Sequence, residues 1–361
     1  MKTWESIETP CLLLDRRRLE ENIARMQRLC DEHGMELRPH IKTHKMVYVG
    51  QKQLEAGAAG LVCSKLSEAE AILPAGVKSV FIANSIVGTS KLKRLQRLAG
   101  ELDELILGVT SEAHFPELAA LLEVAELRLP VMLAVDTGLH REGVRDVEAG
   151  IRLANKIGDS SCMELVGLYC HEGHAYGRPL SEKHRIAGET LEKLEIFREA
   201  IGGKLRLWPG CSVTASVIAK SGKVDAIRPG AYVFGDIANA KRLKTMEWQD
   251  VALTVAATVV DLPEPGMALI DAGSKVFSGD KTPDTRISGL AMDGRDLVVS
   301  RVSEEHGFVT GTDAATLKVG EKLRFVVAHV CPAVNLADTV YLIDGDEVLG
   351  TQRIEGRGCV R

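Results

Sequence analysis

The sequence of 361 residues lacks the features of a membrane protein and of a disulfide-rich secreted domain. No apolar run reaches the roughly 18 residues that a membrane-spanning helix needs, so we expect no membrane partner. The N-terminal segment has no apolar stretch typical of a signal peptide, and none is expected. The eight cysteines stand singly, without a Cys-x-x-Cys pair, and this pattern predicts reduced thiols in the cytoplasm.

A basic surface block is missing as well. The chain holds 45 Lys and Arg against 50 Asp and Glu, which gives a formal net charge of -5, and no long basic run stands out. Since affinity for nucleic acid comes largely from clustered cations, we expect no nucleic-acid partner. Hydrophobic residues make up 45% of the chain, which is enough to build the core of one large or two medium domains.

The sequence does contain a regular alternation of short aliphatic runs and amphipathic segments. Strand-like runs are predicted at 35–42, 60–65, 79–85, 105–111, 129–136, 164–171, 205–209 and 226–234. Helices are predicted at 19–33, 45–56, 67–73, 90–99 and 181–201. Eight strand-then-helix units in about 220 residues match a closed parallel β/α barrel. A doubly wound open sheet is the alternative interpretation.

After about residue 248 the pattern changes to short strands separated by turn residues. These strands are predicted at 251–260, 267–270, 296–302, 323–328, 339–343 and 348–352. Long helical patterns are absent from this part of the sequence. We therefore predict an α/β protein with an eight-stranded barrel over residues 11–245. A mainly antiparallel β domain is predicted over 246–361, together with residues 1–10.

The densest polar cluster is residues 38–45, which read Arg-Pro-His-Ile-Lys-Thr-His-Lys. It closes the first predicted barrel strand, at the carboxyl edge where barrel active sites lie. A lysine facing the barrel interior there would be partly desolvated, which favours the neutral amine that attacks an aldehyde. A solvated basic turn that caps the next helix is the alternative.

This cluster resembles the Arg-Pro-His-x-Lys-Thr-His-Lys signature of the family that holds D-threonine aldolase and D-serine dehydratase. These enzymes are relatives of alanine racemase with the fold-type-III architecture of pyridoxal enzymes. Residues 9–15 are similar to the start of that family, and the similarity continues to Arg357. The resemblance implies pyridoxal 5'-phosphate as cofactor, Lys42 rather than Lys45 as the Schiff-base lysine, and a D-amino acid as substrate. It also implies a homodimer in which the β domain of one subunit covers the barrel mouth of its partner.

Two further segments resemble family motifs that approach the cofactor ring. Residues 136–143 are similar to Asp-x-Gly-x-x-Arg-x-Gly, which implies that Arg141 lies near the phenolic oxygen of the cofactor. A glycine-rich turn with a surface ion pair is the alternative. His171 ends the sixth predicted strand, where the family keeps a residue that stacks on the pyridine ring. A histidine at a strand end is otherwise an ordinary core or rim residue.

Residues 208–216 form a loop of small residues between a predicted strand and a helix. Backbone N–H groups in such a loop can approach a phosphate closely, and in barrels the loop after the seventh strand is a usual phosphate site. The segment resembles the phosphate loop of the family, with Gly210, Cys211 and Ser212 as the binding residues. The resemblance adds Tyr232 as a phosphate ligand from the next strand.

His329 and Cys331 form a His-x-Cys pair on a predicted strand. Alternation would point both side chains to one face, and an imidazole with a thiolate suits a borderline divalent ion. A buried cysteine beside a histidine is the alternative. The resemblance supports a metal site: His-x-Cys is similar to D-serine dehydratase and its zinc, whereas D-threonine aldolases that use manganese carry His-x-Asp. We therefore expect Zn²⁺ or Mn²⁺.

The resemblance favours an aldolase that cleaves β-hydroxy-D-amino acids of the D-threonine type to glycine and an aldehyde. The motif at 271–275 followed by Ser278 is more similar to the aldolase members. A D-serine dehydratase or a D-3-hydroxyaspartate-type lyase is the first alternative. A racemase is a weaker alternative, because racemisation needs no metal pair. A non-catalytic carrier of the cofactor is weaker because such carriers are typically a lone barrel, without a C-terminal domain or a His-x-Cys pair. A cofactor-free sugar-phosphate barrel enzyme is a further alternative.

Overall fold

The computed structural model of the protein describes residues 2–361. The chain divides into two compact units. The first, called here the barrel unit, comprises Arg25–Lys42, Gly50–Gly230 and Cys359–Arg361. The second, called the β unit, comprises the residues up to Ala24, together with Thr43–Val49 and Ala231–Gly358.

The strands of the described chain are short, and most hold three to seven residues. They are β1 (Cys11–Asp15), β2 (Glu36–Leu37), β3 (Leu61–Cys63), β4 (Ser79–Ile82), β5 (Glu104–Val109), β6 (Leu129–Ala134), β7 (Met163–Tyr169), β8 (Arg206–Trp208), β9 (Ala226–Ile227), β10 (Leu253–Glu264), β11 (Met267–Ile270), β12 (Gly289–Ala291), β13 (Val298–Val302), β14 (Gly307–Thr310), β15 (Lys322–Val327), β16 (Thr339–Asp344) and β17 (Glu347–Arg353).

The helices concentrate in the first two thirds of the chain. They are α1 (Arg16–Glu32), α2 (Val47–Glu55), α3 (Leu66–Ile72), α4 (Leu92–Glu101), α5 (His114–Val124), α6 (Val147–Gly158), α7 (Leu180–Ile201), α8 (Ala215–Ala219), α9 (Ser274–Phe277) and α10 (Val330–Leu336). The predicted helices at 67–73 and 181–201 are confirmed as α3 and α7 to within one residue. Among residues 2–361, no helix has both the length and the apolar character that crossing a bilayer requires.

Eight parallel strands close a ring in the barrel unit. Strands β3 to β8 pair in sequence order, and β2 pairs with β9. The Val62 N–H donates to the Pro39 carbonyl at 2.8 Å, and the Asp225 N–H donates to the Leu207 carbonyl at 3.1 Å. These two bonds join the sheets at β2–β3 and at β8–β9. The predicted eight-stranded β/α barrel is therefore confirmed, and the open-sheet alternative is wrong.

Large side chains fill the inside of this barrel. Phe81, Tyr169 and Trp208 belong to one buried cluster. The Phe81 ring meets Tyr169 and Trp208 edge-on, with centroids 5.0 Å and 5.7 Å apart. Gly108 leaves the room that Tyr169 occupies, since a Cβ atom there would overlap the phenol group. The filled interior leaves the loops at the strand ends as the surface on which a site can form.

A closed antiparallel barrel forms the core of the β unit. Its six strands pair in the order β10, β11, β14, β13, β12 and β15, and β15 returns to pair with β10. Strand β1 pairs antiparallel with β10 and parallel with β16, and β17 completes the extended sheet. The predicted β architecture of this region is confirmed. Strands β12 and β14 were not predicted, because each has only three or four residues and begins with glycine.

Two predicted barrel strands are much shorter than expected. The run at 35–42 is a strand only at β2, and the chain then makes a single bridge at His40 before it turns. The run at 226–234 is a strand only at β9, and a 3-10 turn at Ala231–Val233 follows. Pro229 and Gly230 explain the second case, because proline lacks the N–H that a strand donates.

Candidate active site

The predicted nucleophile Lys42 lies in a 3-10 turn, Ile41–Thr43. Lys42 is exposed, whereas Ile41 and Thr43 on either side of it are buried. Lys42 therefore lies at the solvent-accessible surface of the chain and not in its buried interior. The strand ends before residue 42, so the alternation that would have turned this side chain inward does not reach it. Small molecules can reach the Lys42 amine from solvent.

The other basic residues of the 38–45 segment have structural roles. Arg38 is buried, its guanidinium lies 4.3 Å from the centroid of the Trp208 ring, and its Nε donates to Glu36 at 2.7 Å. Lys45 is also buried, has a positive φ of 51°, and accepts the Gly356 N–H on its carbonyl at 2.8 Å. The accessible amine of the segment therefore belongs to Lys42.

His171 lies close enough to Lys42 for the lysine charge to act on it. Burial, followed by the positive charge of Lys42, lowers the pKa of His171 to about 3. Its Nδ1 forms a short hydrogen bond with the Gly210 carbonyl. A carbonyl oxygen only accepts, so the proton lies on Nδ1. At neutral pH the ring is uncharged and held in one tautomer.

The loop after β8 is hydrogen-bonded to the buried carboxylate of Glu172, which the sequence analysis did not identify. Glu172 is fully buried and accepts the Thr214 hydroxyl at 2.7 Å and the Gly210 N–H at 3.4 Å. Arg228, also buried, donates to the Trp208 carbonyl at 3.0 Å. Buried charges need such partners. No local pattern could have identified Glu172, because its Thr214 partner lies 42 positions away.

The predicted phosphate residues fall on both units. Gly210, Cys211 and Ser212 follow β8, and the Ser212 hydroxyl accepts the Gly230 N–H at 3.2 Å. Burial raises the pKa of the Cys211 thiol to about 12, so Cys211 stays protonated and can offer its backbone N–H. Tyr232 is buried in the turn Ala231–Val233, which belongs to the β unit.

Arg141 forms the surface ion pair of the alternative interpretation. It is exposed, and its guanidinium donates to Glu142 at 2.8 Å. The buried carboxylate of this segment is Asp136, which accepts the N–H groups of Gly138 and His140, both at 3.0 Å. Burial opposes ionisation of Asp136, but these bonds outweigh it and hold the pKa of the carboxyl below its usual range. Arg141 is still near enough to contribute to the low pKa of His171.

The predicted metal pair does not lie on a strand, and that expectation is wrong. Strand β15 ends at Val327, His329 occupies the N-cap position of α10 without a side-chain capping bond, and Cys331 lies in the first turn of that helix. Pro332 explains the difference, because it cannot donate to a strand ladder but is well tolerated in the first helical turn. The Val330 N–H, between the two predicted ligands, donates to the buried Asp236 carboxylate at 3.1 Å.

The helix start nevertheless brings the two side chains together. A hydrogen bond with Cys331, which outweighs burial, and a second with Asp280 raise the pKa of His329 to about 9. The Nδ1 atom of His329 lies 2.6 Å from the Asp280 carboxylate, and Cys331 Sγ lies 3.3 Å from the Thr43 hydroxyl. A carboxylate on Nδ1 is the usual support of a metal-bound histidine and leaves Nε2 to ligate.

The donor set fits a borderline ion such as Zn²⁺ in its chemistry. Over the described part of the chain, residues 2–361, no group of three or more His, Cys, Asp or Glu is placed to hold a metal ion. The pair would thus leave several coordination positions to other ligands. Asp280 had no signal in the sequence, since it lies 49 positions from His329.

Comparison with known proteins identifies the family. The model of the alanine racemase N-terminal domain matches residues 14–238, and that of a putative serine dehydratase domain matches residues 252–343. A 3-hydroxy-D-aspartate aldolase of Paracoccus denitrificans is 32% identical over 370 residues, covering 98% of this chain and 92% of that protein.

Two solved structures share the whole architecture. The D-threonine aldolase from Filomicrobium marinum superposes with a TM-score of 0.90 at 27% identity, covering 100% of both chains. The D-threo-3-hydroxyaspartate dehydratase from Delftia sp. HT23 superposes with a TM-score of 0.88 at 28% identity, covering 98% of this chain and 99% of that one. The chain belongs to the alanine-racemase-like family that includes D-threonine aldolase, 3-hydroxyaspartate aldolase and D-serine dehydratase.

Proposed function

We propose that this chain is an aldolase, dependent on pyridoxal 5'-phosphate and a divalent metal, that cleaves β-hydroxy-D-amino acids to glycine and an aldehyde. The observation that carries the proposal is the exposed Lys42 amine, in a segment where Arg38 and Lys45 are buried. We also propose that it works as a cytoplasmic homodimer. The free thiol state of all eight cysteines supports a reducing compartment.

The residues of the barrel unit fit the proposed cofactor. When bound, pyridoxal phosphate supplies an aldehyde that condenses with an amine, with loss of water, and a conjugated ring that withdraws electrons from the bonds at Cα. Lys42 offers the amine. His171 offers an uncharged flat ring, which can lie against the cofactor without adding positive charge. We assign Arg141 to the edge of the same ring.

The phosphate would be held by the loop of Gly210, Cys211 and Ser212, and by the Tyr232 hydroxyl. The Gly210 peptide is fixed on both sides, since its N–H donates to Glu172 and its carbonyl accepts from His171. A loop fixed in this way before the ligand arrives loses little conformational entropy on binding.

The metal would be held by His329 and Cys331 and would supply a Lewis acid. Cys331 contacts Thr43, the residue that directly follows Lys42 in the chain. Asp280 would orient the His329 ring.

A dehydratase is the second candidate, and the His-x-Cys pair favours it. Loss of the β-hydroxyl as water and cleavage of the Cα–Cβ bond need the same amine, electron-withdrawing ring and Lewis acid. The relatives include enzymes of both kinds, among them a 3-hydroxy-D-aspartate aldolase and a D-threo-3-hydroxyaspartate dehydratase. Racemisation is a weaker candidate, because it has no use for the His329–Cys331 pair.

Product analysis separates these candidates. The purified chain, loaded with pyridoxal phosphate and either Zn²⁺ or Mn²⁺, would be incubated with D-threonine, D-serine and D-3-hydroxyaspartate. Glycine with an aldehyde identifies an aldolase, and ammonia with a 2-oxo acid identifies a dehydratase. Formation of only the amino acid inverted at Cα, such as L-serine from D-serine or L-allo-threonine from D-threonine, would contradict both and would establish a racemase.

A further inference from the structure

The turn that presents Lys42 requires a group that holds its backbone. Lys42 itself is exposed, so packing of its side chain cannot fix its direction. The Lys42 N–H instead donates to Nδ1 of His40 at 3.3 Å. We infer that His40 is a positioning residue for Lys42. Its Nδ1 accepts the Lys42 N–H and so fixes the backbone orientation from which the reactive amine projects at the barrel rim.

His40 is suited to this role because its own backbone is anchored on both sides. Its N–H donates to the Pro229 carbonyl at 3.0 Å, and it makes a parallel bridge to Val62 of β3. The chain leaves the sheet immediately afterwards, where a backbone N–H loses its strand partner and must find another acceptor. The His40 imidazole is that acceptor for Lys42, and the His40 backbone that carries it is anchored to the neighbouring strands of the barrel.

The same device occurs a second time in the 38–45 segment. The Met46 N–H donates to Nδ1 of His44 at 3.1 Å, with the same spacing of two residues. His44 is fully buried, and α2 begins directly afterwards at Val47. Both histidines therefore act on the backbone two residues ahead, as Asx turns do. Only the His40 bond ends on the predicted nucleophile.

The contact determines where the His40 proton lies. A backbone N–H only donates, so Nδ1 must carry a lone pair, and the ring proton lies on Nε2. That side of the ring faces the Ser64 hydroxyl at 3.4 Å. Ser64 follows β3, so the ring is bounded by two neighbouring strand ends of the barrel unit. His40 thus needs a particular tautomer, and a substitution can keep or remove each nitrogen separately.

The inference rests on the proposed function, and a matched pair of substitutions tests it. Asparagine places an acceptor where Nδ1 lies, and glutamine places one where Nε2 lies. The full-length chain, as wild type, His40→Asn and His40→Gln, would be titrated with pyridoxal phosphate, followed by borohydride and peptide mapping at Lys42. We expect near wild-type affinity in His40→Asn and about fivefold weaker affinity in His40→Gln, the scale of one hydrogen bond. Ser64→Ala should resemble His40→Asn.

A second measurement needs no cofactor. ¹⁵N NMR of histidine-labelled chain without ligand should show His40 with an unprotonated Nδ1 and a protonated Nε2. Equal affinity in the two His40 variants, or a protonated Nδ1, would overturn the inference while wild-type binding leaves the proposed function intact. A wild-type chain that takes up no pyridoxal phosphate on Lys42 would overturn the proposed function and the inference with it.

Discussion

The Lys42 turn and the His329–Cys331 segment are both polar motifs at the end of a strand, but their surroundings differ. Around Lys42 the neighbouring basic and imidazole groups bond to backbone or pack on Trp208, and one amine is left exposed. Around His329 the supporting groups are carboxylates from distant parts of the chain, Asp280 and Asp236. A short motif can thus contain its own supporting groups, or it can depend on groups that only the fold supplies.

This difference determines which substitutions should disturb each segment. Substitutions within residues 38–45 should disturb the Lys42 turn, because the acceptor of the Lys42 N–H lies in that segment. Metal binding by His329 and Cys331 should depend on Asp280, which lies 49 positions from His329. The following substitutions test that contrast, beginning with the largest expected effect.

Lys42→Ala should abolish covalent uptake of pyridoxal phosphate and lower turnover by several orders of magnitude, because no other amine replaces a missing nucleophile. The control is Lys93→Ala, which removes an exposed lysine on α4 and should change neither property. Both are measured by the visible absorbance of the loaded enzyme and by initial rates with D-threonine. If Lys42→Ala still bound the cofactor covalently, another lysine would form the Schiff base and the assignment of Lys42 would be wrong.

Asp280→Asn should weaken metal binding by roughly 10–100-fold, the usual effect of losing the carboxylate behind a metal-bound histidine. Asp284→Asn is the matched control, since it lies in the same loop and its carboxylate accepts the Thr285 N–H of its own turn. Competition with a chromophoric chelator gives both affinities. An unchanged affinity in Asp280→Asn would mean that its hydrogen bond to His329 serves the apo fold alone.

His171 should make the chain less stable as the pH falls. Its pKa is about 3 in the folded chain and near 6.5 when unfolded, so its neutral ring stabilises the fold fully above pH 6.5. That contribution decreases towards pH 3, by up to about 1.4 kcal/mol per pH unit. Urea unfolding between pH 6.5 and 5 should therefore show a shallower pH dependence in His171→Gln. His184→Gln, on the exposed face of α7, is the control for loss of an imidazole elsewhere in the barrel unit.

Tyr232→Phe should weaken pyridoxal phosphate binding by about 1 kcal/mol, the scale of one hydrogen bond. Affinity for pyridoxal, which lacks the phosphate, should not change. Tyr341→Phe in β16 removes the same group elsewhere in the β unit and serves as the control. Equal losses for the two ligands would show that Tyr232 does not contact the phosphate.

The parts of the fold that could be predicted were those determined by local pattern. The run at 129–136 is apolar up to Asp136, and β6 was found within two residues. Strand β12 holds three residues, which is too short for any periodicity to appear. His329 and Cys331 were placed on a strand because a spacing of two fits alternation, although Pro332 signalled the turn into α10. Glu172 was not found because its burial depends on a loop that folds back from 42 positions away.

The central claim is that Lys42 holds the cofactor. The most direct test is borohydride reduction of the chain loaded with pyridoxal phosphate, followed by proteolysis and fragmentation of the peptide that contains residues 38–45. The structure predicts that the reduced cofactor is attached to Lys42, which is exposed, and not to Lys45, which is buried three positions later. Attachment to Lys45, or a peptide without cofactor from an enzyme that remains fully active, would contradict the account.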